Sequence, residues 1–123
     1  MIERIEDMPE GTMGFRFTGK ITPADYEDVL IPGIKEMVDG GEVRCLCELG
    51  EEFDGYEAAA MWEDFKTGAH YAIRDHSVWS RLAIVTDIDW IGHMVALFGW
   101  LSPGELKLFA ASDGDAAKSW VAG

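Results

Sequence analysis

Acidic side chains follow two apolar segments that are typical of buried strands. Glu51, Glu52 and Asp54 come soon after "RCLCEL", and Asp87 directly follows "LAIVT". Ligands bind beyond the carboxyl ends of parallel strands, so these carboxylates could face one crevice. Their oxygens would suit a hard cation such as Mg²⁺ or Ca²⁺, although the spacing matches no calcium-binding loop. Helix capping explains the same residues without a ligand, so both interpretations stay open and no residue is assigned as a metal ligand.

The histidines and cysteines lack the neighbours that catalysis or metal binding would require. No serine elbow, histidine-metal motif or glycine-rich phosphate loop accompanies His70, His76 or His93. We expect His70 and His93 at core or boundary positions. Cys45 and Cys47 lie two apart, which places both on one face of a strand, where they suit neither a disulfide nor, alone, a zinc site. The sequence therefore predicts two small buried thiols, no cofactor and no catalytic residue.

Aromatic residues concentrate in two segments that we predict to be helices. Core packing explains most of them, but "ALFGWL" is more apolar than one buried face requires. The surplus predicts either an oligomer interface or the wall of a small apolar pocket. The candidate ligand-binding residues are Trp62, Phe65, His93 and Phe98. The candidate homodimer-interface residues are Phe98, Trp100 and Leu101.

The composition is typical of one acidic globular domain, which we place at residues 1–123. With 48% hydrophobic residues the chain can build a core. The formal net charge of -13 repels phosphate backbones and anionic membrane surfaces, so we expect no nucleic-acid partner. The longest apolar stretch, Trp90–Leu101, is too short to cross a bilayer. Because the charged stretch "MIERIEDMPEG" contains no apolar signal core, we expect a cytoplasmic protein.

The first forty residues predict a hairpin followed by a helix. Met1–Ile5 is a candidate strand, and Met13–Phe17 alternates apolar and other residues with the period of a strand. Thr22 is suited to cap the helix, and Gly40–Gly41 to end it. Pro32–Gly33 lies inside this helix, so we expect a kink or a break there.

The rest of the chain alternates strands with helices. Val43–Leu49 and Leu82–Thr86 are largely apolar, which predicts adjacent, parallel, central strands. A long helix is predicted between them, from Tyr56 to about Asp75. "DWIGHMVALFGWL" predicts a third helix, "ELKLFA" a further strand, and "SDGDAAKSWV" a final helix with Ser112 as cap and Trp120 packing inward. The order β-β-α-β-α-β-α-β-α implies a largely parallel sheet with right-handed crossovers.

Several local patterns occur together in an order that resembles a known family. They are "DYEDVLIPGIKEM", "WEDFKTGAHY", "RLAIVTDIDWIGHMVALFGWL", "GELKLF" and "AAKSWV". On these patterns the chain resembles the SpoIIAA-like family, small stand-alone bacterial proteins of the STAS type. The resemblance covers nearly the whole chain. It implies a STAS-like α/β fold with a mixed, largely parallel sheet of four to five strands flanked by four helices, a fold shared with lipid-carrying CRAL-TRIO domains.

The resemblance also gives the acidic segment a comparison. In STAS antagonists of anti-sigma factors, the loop before the long helix carries an Asp-Ser motif whose serine is phosphorylated. The corresponding segment here is Gly50–Tyr56, which contains no serine or threonine. A phosphorylated serine is therefore excluded by residue type. The built-in negative charge is either a constitutive mimic of the phosphorylated state or simply an acidic helix start.

These observations predict a non-catalytic STAS-like domain that acts through protein–protein contacts in a regulatory role, as a homodimer. The alternative is a binder of a small apolar or lipid-like ligand, held in a pocket between helices and sheet. The exposed or concave character of "ALFGWL" separates the two, because a flat apolar patch suits a protein partner and a concave lining suits a ligand.

Overall fold

The sheet has five strands in the part of the chain that the structure describes, and they lie in chain order. The computed structural model describes residues 1–53, 78–98 and 104–123. The strands are β1 (Ile2–Ile5), β2 (Met13–Phe17), β3 (Val43–Leu49), β4 (Trp79–Val85) and β5 (Glu105–Phe109). β1 pairs with β2 antiparallel, whereas the three later pairs are parallel. The prediction of a mixed, largely parallel sheet is confirmed.

β3 and β4 are the central parallel pair that the sequence predicts. Glu48 lies beside Val85 and Leu46 beside Ala83 in their register. Leu46, Ala83 and Val85 are buried, because both faces of the centre of a sheet are covered. β4 begins three residues earlier than predicted, at Trp79.

The helical segment after β2 is interrupted by a π-helical turn. It comprises α1 (Pro23–Asp25), a π-helix (Tyr26–Leu30) and α2 (Ile31–Asp39). The Ile31 N–H donates to the carbonyl of Tyr26, five residues back, instead of four. Pro32 has no N–H to donate and its ring crowds the preceding turn, so the hydrogen-bond register changes just ahead of it. In place of the break predicted at Pro32–Gly33, the helix has a π-helical turn that ends at Leu30, two residues before Pro32.

The ends of this helical segment follow the sequence signals. Thr22 and Asp25 form a capping box, in which the Thr22 N–H donates to Asp25 Oδ2 at 2.8 Å and the Asp25 N–H donates to Thr22 Oγ1. Gly40 occupies the C-cap, and Gly41 follows with φ +89°. Gly33 lies where α2 crosses β2, since a Cβ built there would fall 2.5 Å from Phe15 Cζ. The glycine therefore sets how closely helix and sheet approach.

The core has one layer on each face of the sheet. On one face, Phe15 and Val43 pack against the α2 side of the molecule together with Cys45 and the half-buried Cys47. Both thiols are free and lie on the same face, as predicted. The hydrogen bond to Cys47 and complete burial raise the pKa of the Cys45 thiol well above its usual value, so this thiol stays neutral in the core.

The opposite face is covered by the last helix of the chain. After β4 the chain forms α3 (Asp89–Phe98), and after β5 a 3₁₀ turn (Ala111–Asp113) and α4 (Gly114–Ala122), of which α4 lies on this face. Ala117 and Val121 of α4 are buried against Leu46 and Phe109. The predicted cap at Ser112 is wrong: Ser112 lies within the 3₁₀ turn, and Asp113 occupies the N-cap position without a side-chain hydrogen bond. The turn adds three residues of helical geometry before α4, which moves the cap position past the serine.

Two arginines of neighbouring strands hold the carboxyl end of α4. Arg44 and Arg81 are register partners in β3 and β4. Arg44 Nη1 donates to the Val121 carbonyl at 2.9 Å, and Arg81 Nη1 donates to the Trp120 carbonyl. Positive charge at the carboxyl end is favourable to the helix dipole, and the two arginines supply donors to the last carbonyls of α4, where the Trp120 carbonyl also accepts from the Gly123 N–H at 3.3 Å. Trp120 packs inward, as predicted, with its ring 5.9 Å from that of Phe109.

The predicted long helix from Tyr56 to about Asp75 lies outside the described residues. Within the described ranges, no helix is long and apolar enough to cross a membrane.

Candidate functional site

A cleft lies at the edge of the sheet where the parallel strands end. Its volume is about 450 Å³. It opens where β4 and β5 finish and α3 begins, which is the edge at which parallel sheets bind ligands. The lining residues are Thr86, Asp87, Ile88, Asp89, Gly92, His93, Leu108, Phe109 and Ala110.

Thr86 is a buried residue that links the strand ends at this edge by hydrogen bonds. It is only 5% exposed. Its hydroxyl donates to the Leu49 carbonyl at 3.0 Å and accepts from the Ile88 N–H at 3.1 Å, while its own N–H donates to the Phe109 carbonyl at 2.9 Å. The end of β4 is thereby bonded to the ends of both neighbouring strands. Sequence reasoning missed this residue, because threonine at the end of an apolar strand is an ordinary strand former.

The two aspartates of the cleft have structural tasks. Asp87 is exposed, and its Oδ1 accepts a hydrogen bond from the Ala111 N–H at 3.0 Å. This bond fastens the segment after β5 to the segment after β4. Asp89 stands in the first turn of α3, where a negative charge is favourable to the helix dipole. The hydrogen bond of Asp87 and the position of Asp89 at a helix start both fit the capping interpretation of the acidic residues.

Two large apolar side chains of α3 and β5 are exposed. Trp90 is 47% exposed and Leu108 is 38% exposed, whereas Ile91, the next residue of α3, is buried. A Cβ built on Gly92 would contact Leu108 Cδ2 at 3.5 Å, so α3 lies over β5. The first turn of α3 and the end of β5 thus each expose one large apolar side chain, and we call Trp90 and Leu108 the α3–β5 apolar pair.

The family model for SpoIIAA-like proteins matches residues 12–122. The chain belongs to the SpoIIAA-like family. The structure is also similar to that of an uncharacterised protein from Shewanella loihica PV-4, described as a DUF3478 family member with a SpoIIAA-like fold. The TM-score is 0.67 at 23% identity, over 98% of this chain and 93% of that one. At this identity the likeness shows the fold alone. Comparison with curated proteins gives no match.

In this SpoIIAA-like protein the acidic segment begins as an exposed turn. Glu51 and Glu52 are exposed, and the turn is closed by the Phe53 N–H, which donates to the Gly50 carbonyl at 3.0 Å. Asp54 lies outside the described residues. Among the residues that are described, no three histidine, cysteine, aspartate or glutamate side chains are grouped so that they could hold a metal ion.

The structure places one of the four candidate ligand-binding residues at the cleft. His93 lines it, on the first turns of α3, and is exposed where the sequence predicts a core or boundary position. Phe98 is the last described residue of α3, and only its backbone is described. Trp62 and Phe65, and the interface candidates Trp100 and Leu101, lie outside the described residues. His93 and Asp87 are thus brought to one cleft, and the other assignments stay predictions.

Proposed function

We propose that this SpoIIAA-like protein is a non-catalytic, cytoplasmic domain of regulatory function that acts through protein contacts, first of all with a second copy of itself. The observation that carries the proposal is the α3–β5 apolar pair. Large apolar side chains that stay in water lower solubility unless a partner covers them, and tryptophan is prominent among the residues that dominate interface energies. The free thiols of Cys45 and Cys47 suit a reducing compartment.

The composition of α3 supports self-association. Trp90 at its start faces water although most of the helix is apolar. A helix that covers a sheet needs only one apolar stripe, and the sequence of α3 carries more apolar residues than one stripe requires. We place the homodimer contact along this helix and its continuation, with Phe98, Trp100 and Leu101 contributing to it.

The absence of catalysis is the second part of the proposal. Asp87 is the cleft residue whose type best suits a catalytic acid. One of its carboxylate oxygens accepts from the Ala111 N–H and so holds the segment after β5 in place. By the resemblance to STAS antagonists, the segment Gly50–Tyr56 corresponds to the loop that carries their phosphorylated serine, and it contains carboxylates and no serine or threonine. We infer that the contact is not switched by phosphorylation of this segment.

The proposal is tested by the oligomeric state of the wild type and of Trp90→Ser. Sedimentation velocity over a wide concentration range should show a reversible dimer. Because Trp90 is exposed, the substitution should leave the circular dichroism spectrum and the melting temperature unchanged while it shifts the equilibrium towards monomer. A wild type that sediments as a monomer at every concentration would overturn the proposal.

A second candidate function is the binding of a small apolar or lipid-like molecule in the cleft. The observation that favours it is the concave lining, in which Ile88, Leu108 and Phe109 supply apolar surface beside the polar Asp87 and His93. A volume of about 450 Å³ falls within the range of small-molecule sites.

Native mass spectrometry separates the two functions. A monomer that carries a retained apolar molecule, and loses it in Gly92→Leu, would favour the ligand, because the new side chain would fill the cleft beside Leu108. A dimer that retains no molecule would favour protein contacts.

A further inference from the structure

The outer edge of β5 has hydrogen-bonding groups that the described part of the chain does not use. Within that part, β5 pairs with β4 alone. The Phe109 carbonyl accepts from the Thr86 N–H, so the main-chain N–H and C=O groups of Phe109 point towards β4. Because the direction alternates along a strand, Glu105 and Lys107 also face β4, and Leu106 and Leu108 direct their N–H and C=O groups outward.

The opposite edge of the sheet has one of its outward main-chain groups occupied. The main chain of Met1 faces β2, since its carbonyl accepts from the Thr18 N–H, and Ile2 therefore faces outward. The Ile2 N–H is already occupied, because it donates to Asp25 Oδ1 at 3.2 Å. A side chain bonded to an edge strand blocks pairing with another chain. The two edges of the sheet therefore differ at this position, and within the described residues the outward groups of Leu106 and Leu108 on β5 have no such side-chain bond.

The sequence of β5 is complementary to itself in one antiparallel register. If a two-fold axis passes through Leu106, each Glu105 faces Lys107 of the second copy, and the two leucines exchange main-chain hydrogen bonds. Opposite charges that face each other directly across a strand pair stabilise it. An axis through Lys107 would instead bring two lysines face to face, and like charges at that position are destabilising.

The same register accommodates the exposed leucine of the α3–β5 apolar pair. Leu108 then lies opposite Gly104 of the second copy. Gly104 has φ +75°, and a Cβ built on it would fall 2.4 Å from the Trp79 carbonyl oxygen, so glycine is required there by its own chain. The position opposite Leu108 is therefore free of a side chain, and the leucine can pack over it. Since α3 lies over β5, the α3 helices of the two copies approach across the same axis.

We propose that two copies of this chain pair their β5 strands antiparallel about an axis at Leu106 and so continue the sheet from one copy to the other. This pairing rests on the proposed function, because it specifies where the homodimer forms. In this pairing, Glu105 and Lys107 select the register of the two strands. Both residues are exposed and lie on the α4 face of the sheet.

Charge reversal tests the register. Glu105→Lys and Lys107→Glu should each raise the dimer dissociation constant by about tenfold or more, since the symmetry converts two attractive pairs into two repulsive ones. The double variant Glu105→Lys/Lys107→Glu restores both pairs and should return to within about threefold of the wild type. An equimolar mixture of the two single variants, one of them isotopically labelled, should form the mixed dimer in preference to either parent.

Matched controls separate the pairing from net charge and from folding. Glu3→Lys on β1 and Lys35→Glu on α2 change the net charge equally, lie on exposed residues away from β5, and should leave the dissociation constant unchanged. Glu105 also forms an ion pair with Arg81 of its own chain, at 3.0 Å, which the charge reversal removes. Thermal melts of all variants therefore measure any loss of folding stability. The mixed dimer restores the charge pairs between the two copies independently of that loss.

The outcomes are distinct. A mixed dimer that forms while both single variants are weakened supports the β5 pairing. A wild-type dimer that is indifferent to the charge reversals, or a mixture without preference, would overturn the β5 pairing and leave the homodimer of the proposed function standing. A wild type that is monomeric at every concentration would overturn both.

Discussion

Replacement of Thr86 by valine is the sharpest test of how the candidate site is held together. Valine has nearly the shape of threonine, so packing under the cleft is preserved. The variant loses the bond to the Leu49 carbonyl and the bond from the Ile88 N–H. Each such bond contributes about 1 kcal/mol net, so the free energy of unfolding should fall by about 2 kcal/mol. For a chain of this size the melting temperature should drop by roughly 6–10 °C.

Urea unfolding followed by circular dichroism measures this loss, and amide hydrogen exchange locates it. Exchange should accelerate at Ile88, whose N–H loses its acceptor. Thr18→Val is the matched control, because Thr18 follows β2 at the same edge of the sheet and no hydrogen bond of its side chain is found in the described part. Its unfolding free energy should change by less than about 0.5 kcal/mol. Equal effects of the two substitutions would refute the bridging role of Thr86.

Three further predictions concern stability and assembly. Burial raises the pKa of Asp25, but hydrogen bonds from Thr22 and the main chain outweigh it and leave that pKa below its usual value. The stabilisation by the ionised carboxylate should therefore be present above about pH 4 and lost as the pH falls further. Thermal melts in acid should show a smaller loss of stability for Asp25→Asn than for the wild type. Gly33→Ala should destabilise by about 1–3 kcal/mol in urea titrations, because its Cβ would overlap Phe15, and an unchanged midpoint would contradict the packing. Trp100→Glu should give a folded monomer by sedimentation and circular dichroism, whereas loss of folding would place Trp100 in the core.

The sheet could be predicted because its central strands carry a signal that does not depend on distant residues. Val43–Leu49 is apolar along the face of Val43, Cys45, Cys47 and Leu49 and carries Leu46 on the other, which is typical of a covered strand, and the observed strand has these bounds. Thr22 was predictable as a cap for a similar reason, since threonine before a proline and an aspartate three residues later specifies the start of a helix locally.

Contacts between distant parts of the chain could not be predicted. Arg44 and Arg81 look like solvent-exposed strand residues in the sequence, and only the fold shows that the carboxyl end of α4 lies against them. Ser112 looks as good a cap as Asp113, because both residue types favour the position, and the 3₁₀ turn decides between them.

The candidate site was predictable as a place and only partly as a set of residues. The rule for parallel sheets indicates the carboxyl edge, and the cleft lies there with Asp87 and His93 in its lining. The exposure of Trp90 was not predictable, because a helix that is apolar nearly all round has no periodicity to show which side faces the sheet.

The most direct measurement of the central claim is the mass of the wild-type protein in solution, by sedimentation equilibrium over a wide concentration range with native mass spectrometry of the same sample. We expect a reversible dimer that carries no small molecule. A single species of monomer mass at every concentration would contradict the claim that the protein acts through contact with a second copy of itself.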